Sequence, residues 1–318
     1  MKRESAQNPF PARLATAFAV ASAFLLAPPV SAANPPAGQK TFGTPEQAAE
    51  ALVAAAEKDD VAALLEILGP DGKDLVSSAD AVQDKNERTN FVRQAREKMQ
   101  VSEDPINPGW MFLSVGAEDW PLPIPIVQKS GKWRFDFKQG RGEILAQRIG
   151  ENELDAIALL RGYVEAQTEY AEEEHDDSGM LQYAQKAIST PGKQDGLCWS
   201  NADGSVGGPI GDLVAQALAA GYKSKTEPYN GYFFRILTAQ GPAAPKGALD
   251  YVVNGRMIGG FGMVAWPAQY GVTGIQTFMV NHDGIVYQKD LGPETSKVAA
   301  GITRYNPDKS WLATEDEE

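Results

Sequence analysis

The sequence predicts an α+β fold built from two consecutive units. Apolar residues first recur at the three- and four-residue spacing of a helix and then alternate as in a strand. This order occurs within residues 41–140 and again within residues 141–312. Runs of helix followed by runs of strand are typical of α+β proteins. Hydrophobic residues make up 43% of the chain, which is enough for ordinary buried cores.

Residues 1–33 have the features of a secretory signal peptide. Basic residues precede an apolar run over residues 14–27, and small residues close the segment. The run is shorter than the roughly 20 residues that a membrane-spanning helix needs. We therefore predict export with cleavage after Ala32 or Ala33, a periplasmic or secreted location, and no integral membrane span in the mature chain.

The charge and the cysteine content restrict the classes of partner. A formal net charge of −13 opposes binding to nucleic acids and to anionic lipid headgroups, so we predict no nucleic-acid partner. The single cysteine, Cys198, leaves the chain without an internal disulfide in an oxidising compartment. The expected partner is an unidentified envelope protein or a small molecule.

The first unit, residues 41–140, begins with three predicted helices. Residues 44–47 (TPEQ) form a capping box with proline at the first helical position. Two aspartates at residues 59 and 60 interrupt this helix, and a second apolar helix covers residues 61–68. A third, strongly charged helix is predicted over residues 85–100.

Strands follow in the first unit. We predict them over residues 110–116, 122–128 and 132–137. Prolines occupy alternate positions of the middle strand, so they remove hydrogen-bond donors from one side only and predict a protected edge strand. The same PxPxP spacing also occurs in polyproline ligands of partner domains. In the last strand, Trp133, Phe135 and Phe137 alternate with charged residues, as in a strand with one buried face.

Two stretches of the first unit carry a resemblance. They are TPEQAAEALVAAAEKDDVAALLEILGP and the closing KSGKWRFD. With them, residues 41–140 resemble the NTF2-like (cone-shaped, cystatin-related) domains of exported bacterial proteins. The resemblance implies a pocket between helix and sheet and identifies no ligand.

The second unit, residues 141–312, opens with a long predicted helix over residues 142–173. Its apolar stripe consists of Leu154, Ile157, Leu160 and Val164. A shorter amphipathic helix ends at Gly221, where a C′ glycine belongs. Strands are then predicted over residues 231–239, 260–266, 276–280 and 285–289. Residues 281–284 (NHDG) form a turn, and Asn254 with Gly255 closes a further hairpin.

Longer motifs of the second unit carry two resemblances. NELDAIALLRGYVEAQTEYA, YNGYFFRILTAQ and GGFGMVAWPAQYGVTGIQTFMVNHDGIVY resemble the globular head of type IV pilin-like proteins, which implies a long helix packed on an antiparallel sheet. STPGKQDGLCW, GPAAPKGALDYVVNGRMIGGF and NHDGIVYQKDLGPET resemble the bacterial domain-of-unknown-function family 2950. That second resemblance covers nearly the whole mature chain and implies an envelope location without an established activity.

We predict no catalytic residues and no cofactor. The chain has two histidines and one cysteine, and it has no nucleophile elbow, HExxH motif or phosphate-binding loop. His282 and Asp283 are interpreted as a turn-forming pair rather than as a general base with its partner. The six tryptophans are expected in the core, although tryptophans also line glycan sites.

One acidic stretch has part of a calcium loop. Glu174, Asp176 and Ser178 supply oxygen ligands before a glycine, as Ca²⁺ coordination requires. Gln182 and Gln185 stand at the later ligand positions, where a bidentate glutamate is missing. A solvated acidic helix end is therefore the preferred interpretation, and no metal is predicted.

Three functions remain open at this point. The first is an exported envelope protein that serves as a non-catalytic interaction or scaffolding protein through the pilin-like unit. The second is a small-molecule-binding protein that uses the cone of the first unit, and the third is a hydrolase with an acidic site. An enclosed apolar pocket behind Trp133 and Phe135 would favour the second, whereas a filled first unit with exposed apolar surface on the other would favour the first.

Overall fold

The computed structural model describes residues 38–176, 178–222 and 227–315. The predicted signal peptide, residues 1–33, lies outside the described residues. The α+β fold class is confirmed, because helices and antiparallel sheets both occur in each half of the chain. The NTF2-like and pilin-like arrangements remain predictions.

The first half begins with helices that side chains cap. They are α1 (Pro45–Glu57), α2 (Val61–Leu68), a 3-10 turn (Pro70–Gly72), α3 (Lys73–Val76) and α4 (Ala81–Glu97). Thr44 Oγ1 accepts a hydrogen bond from the Gln47 amide (3.2 Å), which confirms the predicted start of α1. Asp60 caps α2 in the same way (3.0 Å). The helix predicted over residues 85–100 corresponds to α4. It starts earlier than predicted, because Asp80 caps it by accepting a hydrogen bond from the Gln83 amide at 2.9 Å.

The sheet of the first half contains short antiparallel strands. They are β1 (Met99–Glu103), β2 (Trp110–Val115), β3 (Trp120–Pro121), β4 (Ile126–Lys129) and β5 (Lys132–Phe135). The order is β1-β2-β4-β5, with β3 paired to β2. The predicted proline-protected edge strand is therefore wrong, since β4 lies inside the sheet. Pro123 and Pro125 precede β4 in the connecting segment, where they remove no ladder hydrogen bond.

A continuous apolar core fills the first half. The helix pair α1 and α2 packs against β5, and α4 packs against α1 and β2. Phe135, Leu113 and Ile126 are fully buried between these layers. Arg134 departs from the predicted alternation, because it is buried and pairs with Asp136 (Nη2–Oδ2, 3.2 Å).

Helix α5 (Phe137–Tyr170) runs through the predicted unit boundary at residue 140. Near its start it contacts the first half, where Arg148 donates to the carbonyl oxygens of Asp74 (2.8 Å) and Leu75 (3.0 Å). Its later turns pack on the sheet of the second half. The division into units 41–140 and 141–312 stays a prediction. In the described part of the chain, no helix is both long and apolar enough to span a bilayer.

The second half contains one large sheet and several short hairpins. Its elements are β6 (Trp199–Ser200), β7 (Val206–Gly207), α6 (Gly211–Ala220), β8 (Tyr232–Leu237), β9 (Ala239–Gln240), β10 (Leu249–Asp250), β11 (Val252–Val253), β12 (Arg256–Met257), β13 (Gly262–Pro267), β14 (Gln276–Asn281), β15 (Tyr287–Asp290), α7 (Thr295–Ala300) and β16 (Leu312–Ala313). The large sheet is antiparallel in the order β16-β15-β14-β13-β8. The predicted hairpin β11–β12 is confirmed, with Asn254 and Gly255 at positive φ in its turn.

Both faces of the large sheet are covered. On one face, Leu160 of α5 is fully buried in a cluster that includes Phe278 and Val280. On the other face, Met279 and Val264 pack with Trp311 from the C-terminal segment. Leu154 was predicted to belong to the buried stripe of α5. That prediction is wrong, because 57% of Leu154 is exposed. The buried face instead follows residues 152, 156, 160, 163, 167 and 170, so Ile157 and Val164 lie at its margin.

Candidate functional site

A polar cleft of about 340 Å³ opens in the second half, where the end of α5 meets the β11–β12 hairpin. Tyr170 and His175 form its aromatic wall. Asp176 and Asp195 provide carboxylates, and Arg256 of β12 provides the guanidinium. We refer to the space between these five side chains as the polar cleft.

The aromatic wall is held rigidly. The rings of Tyr170 and His175 are stacked, with centroids 3.8 Å apart and an angle of 16° between their planes. His175 Nε2 lies 2.8 Å from the Tyr170 carbonyl oxygen, and the Tyr170 hydroxyl donates to the Gln194 carbonyl at 2.6 Å. Burial raises the pKa of Tyr170 to about 12, and the charges of Asp195 and Asp176 act in the same direction. Tyr170 is therefore a neutral phenol near pH 7.

The carboxylate of Asp195 is occupied by neighbours on its own loop. Its Oδ2 accepts from Lys186 Nζ and from the Thr190 hydroxyl, both at 2.8 Å, and its Oδ1 accepts from the Thr190 amide at 2.7 Å. Burial raises the pKa of Asp195, but the hydrogen bonds from Lys186 and Thr190 outweigh burial and lower the pKa to about 2. Asp195 is a fixed anion whose charge Lys186 balances.

The predicted calcium residues lie beside the polar cleft, and Asp176 lines it. Asp176 accepts from the Ser178 amide (Oδ1, 3.0 Å) and from Gln182 Nε2 (Oδ2, 2.8 Å). Glu174 Oε1 accepts from the Gly179 amide at 2.5 Å. Among the described residues, no three His, Cys, Asp or Glu side chains are grouped to hold a metal ion. Calcium binding by Glu174, Asp176 and Ser178 stays an untested alternative.

Arg256 differs from the other charged residues of the polar cleft. Within the described ranges its Nε is buried and has no hydrogen-bond partner, and its guanidinium forms no ion pair there. The hairpin that carries it is fixed from outside, because Gln185 Nε2 donates to the Gly255 carbonyl and the Tyr183 amide donates to the Met257 carbonyl, each at 2.8 Å. The Nε of Arg235 is also buried without a described partner, but Arg235 Nη2 donates to the Ala299 carbonyl at 2.5 Å. Arg256 differs because no described residue accepts a hydrogen bond from any part of its guanidinium.

His282 and Asp283 occupy the turn between β14 and β15, as predicted. Tyr251 and Phe261 pack against the His282 ring, with centroids 5.7 and 6.1 Å away. His282 Nε2 lies 4.0 Å from Asp283 Oδ1, which exceeds a hydrogen bond, and Asp283 instead pairs with Lys246 at 2.7 Å. A Cβ at Gly260 (φ +132°) would lie 2.6 Å from His282 Nδ1, so close packing explains this glycine.

A second group of polar side chains joins the two halves. Asp80 Oδ2 accepts from the Tyr222 hydroxyl (3.1 Å) and from the Gly231 amide (3.0 Å). Asn152 accepts from Gln83 (2.6 Å) and donates to the Thr273 carbonyl (2.9 Å). Asp80 and Asn152 are both 1% exposed. Because these side chains find their hydrogen-bond partners within the protein, we interpret the group as a structural link between the halves and not as a ligand site.

The sequence did not single out Tyr170, Asp195 or Arg256 as site residues. Asp195 and Arg256 do lie within two of the motifs that carry the resemblance to family 2950, STPGKQDGLCW and GPAAPKGALDYVVNGRMIGGF. The fold brings these motifs together at the polar cleft. The third motif, NHDGIVYQKDLGPET, supplies the turn around His282 and the strand β15 instead.

Comparison with known proteins gives one match. A family model described as "Protein of unknown function (DUF2950)" matches residues 39–314. Neither the curated proteins nor the solved structures contain a match to the chain. The matched range includes both sheets, the polar cleft and the junction around Asp80.

Proposed function

This chain belongs to the DUF2950 family of proteins of unknown function, and we propose that it is an exported, non-catalytic binding protein of the cell envelope that recognises its partner with its second half. The polar cleft supports this proposal, because the side chain of Arg256 lines it and no described residue pairs with that guanidinium. The order of charge and apolar residues in segment 1–33 supports export.

The packing of the first half argues against a ligand in its interior. Phe135, which a cone-shaped pocket would expose, is fully buried among Ile124, Ile126 and the side chains of α1 and α2. Exposed apolar side chains do not distinguish the halves, because Trp120 of the first half is 51% exposed and Leu312 of the second half 65%. The filled interior of the first half and the polar cleft of the second half favour recognition by the second half.

The protonation of Asp195 and Tyr170 favours binding over hydrolysis by these two groups. General acid–base catalysis is most efficient when the pKa of the acting group lies near the working pH. The pKa of Asp195 is about 2 and that of Tyr170 about 12, far from neutrality on both sides. These groups hold a ligand in place better than they transfer protons.

Photo-crosslinking in the native envelope tests the proposal. A photoreactive amino acid replaces Gln185, which is exposed and lines the polar cleft, and in a matched variant it replaces Gln100, which is exposed on β1. We expect a defined adduct from position 185 and none from position 100. Equal labelling at both positions, or none at 185, would overturn the proposed binding function.

The proposed export has its own test. Intact-mass measurement should show that the purified chain begins at Ala33 or Asn34. Retention of Met1 would overturn export.

A further inference from the structure

We infer that the polar cleft recognises the carboxylate of a peptide-like ligand and that Arg256 is the residue that binds it. The inference rests on the proposed binding function and names the chemistry of its ligand. Arg256 Nε is buried without an acceptor in the described part of the chain, and the guanidinium is always charged. The Nε atom itself is closed off from solvent, but the Arg256 side chain lines the polar cleft, where an oxyanion can pair with the guanidinium.

The carboxylates that the structure describes do not satisfy Arg256. Asp195 is engaged by Lys186 and Thr190, and Asp176 by Ser178 and Gln182. Arg256 does help to lower the pKa of Asp176, after the hydrogen bonds from Ser178 and Gln182, so the two side chains lie in the same electrostatic environment. No ion pair within 4.0 Å joins them among the described residues. A positive charge therefore remains available to a ligand.

The composition of the polar cleft favours a carboxylate over a phosphate. One guanidinium balances one negative charge, and its planar fork matches the two oxygens of a carboxylate. Asp176 and Asp195 would repel a doubly charged phosphate more strongly than a singly charged carboxylate. Asp176 Oδ2 accepts one hydrogen bond, from Gln182, and a carboxylate oxygen can accept two. It can therefore also accept an N–H group beside the bound carboxylate, which a peptide carboxyl terminus supplies and a simple organic acid lacks.

Titration calorimetry with the mature chain tests the assignment. The probes are the blocked dipeptide acid acetyl-Ala-Ala, its carboxamide, sodium acetate and inorganic phosphate. We expect the dipeptide acid to bind and the carboxamide to bind at least about tenfold more weakly, since hydrogen bonds to charged groups are the stronger ones. Acetate as tight as the dipeptide would identify a small organic acid as the source and overturn the peptide assignment. Phosphate as tight as the dipeptide would overturn the carboxylate assignment.

Arginine variants supply the controls. Arg256→Gln should weaken binding of the dipeptide acid at least about tenfold, and Arg256→Lys should give an intermediate loss because it keeps the charge without the fork. Arg304→Gln, in the same half, removes an exposed arginine that pairs with Asp250 and should leave binding unchanged. Because the Arg256 side chain has no hydrogen-bond partner among the described residues, Arg256→Gln should unfold at the wild-type temperature. A lower unfolding temperature with unchanged binding would assign Arg256 a structural role instead.

The two proposals fail in different ways. If the position 185 adduct persists in Arg256→Gln, the carboxylate assignment is wrong and the binding function stands. If the dipeptide acid binds through Arg256 but no adduct forms in the envelope, the carboxylate assignment stands and the proposed interaction function is wrong.

Discussion

The two halves of the described chain cover their sheets differently. In the first half, α1, α2 and α4 cover one face around Phe135, and the edge strand β1 is largely exposed. In the second half, α5 covers one face of the sheet and the C-terminal segment with Trp311 covers the other. A sheet that is covered on both faces has no open face for a ligand, so the recognition that we propose for the second half uses its connecting segments, at the polar cleft.

The largest effect is expected where α5 meets the second sheet. Leu160→Ala should lower the free energy of unfolding by about 2–5 kcal/mol, because the fully buried side chain leaves a cavity between helix and sheet. Leu154→Ala, on the same helix but 57% exposed, should stay within about 0.5 kcal/mol of the wild type. Urea denaturation measures both. Similar losses for the two variants would show that α5 buries another face.

A smaller effect is expected at the junction between the halves. Asp80 and Asp60 both cap a helix, but only Asp80 also accepts bonds from Tyr222 and Gly231 of the other half. Asp60→Ala should cost about 1 kcal/mol, as loss of a cap does. Asp80→Ala should cost about 2–3 kcal/mol, because buried donors lose their acceptor as well. Equal losses in chemical denaturation would show that Asp80 does not couple the halves.

The smallest effect is a pH dependence of opposite sign in the two halves. Burial raises the pKa of Asp84, so this residue supports the fold while protonated and loses that contribution as pH rises through its folded pKa. The pKa of Asp195 is lowered to about 2, so its contribution is present above its unfolded pKa of 3.8 and is lost as pH falls towards 2.

Asparagine variants isolate these two contributions. The stability of the wild type relative to Asp84→Asn should fall as pH rises from 3 upward. The stability of the wild type relative to Asp195→Asn should rise over pH 2–4. Thermal unfolding in a pH series measures both differences. Slopes of the same sign would contradict the assigned environments of these carboxyl groups.

Local chemistry predicted the local elements well. The capping residues Thr44 and Asp60, the turn at Asn254 and the glycine after α6 each specify a backbone geometry through their own side chain or its absence, so sequence was sufficient there. The rotation of α5 was not predicted, because Leu154 and Leu160 fit a helical stripe equally well and tertiary packing alone decides between them. The interior position of β4 likewise depends on strand order, which the prolines that precede it do not specify.

The polar cleft could not be predicted for a further reason. Tyr170, Asp195 and Arg256 come from segments that are distant in sequence, and no spacing rule connects them. Arg256 is also identified by its lack of a hydrogen-bond acceptor within the described residues. That lack depends on where every neighbouring carboxylate finds its own partners. Sequence indicates charged residues, whereas only the fold shows which charges are already balanced.

Arginine side-chain NMR observes the Nε–H group of Arg256 itself. In arginine-labelled protein, the Arg256 Nε–H resonance is assigned from its loss in Arg256→Lys. It should shift as acetyl-Ala-Ala is added and should stay unmoved with its carboxamide, because only the carboxylate pairs with the guanidinium. The Arg304 resonance, from an exposed ion pair, should not move in either titration. An Arg256 resonance that stays unchanged at saturating dipeptide acid would show that the guanidinium does not bind the carboxylate.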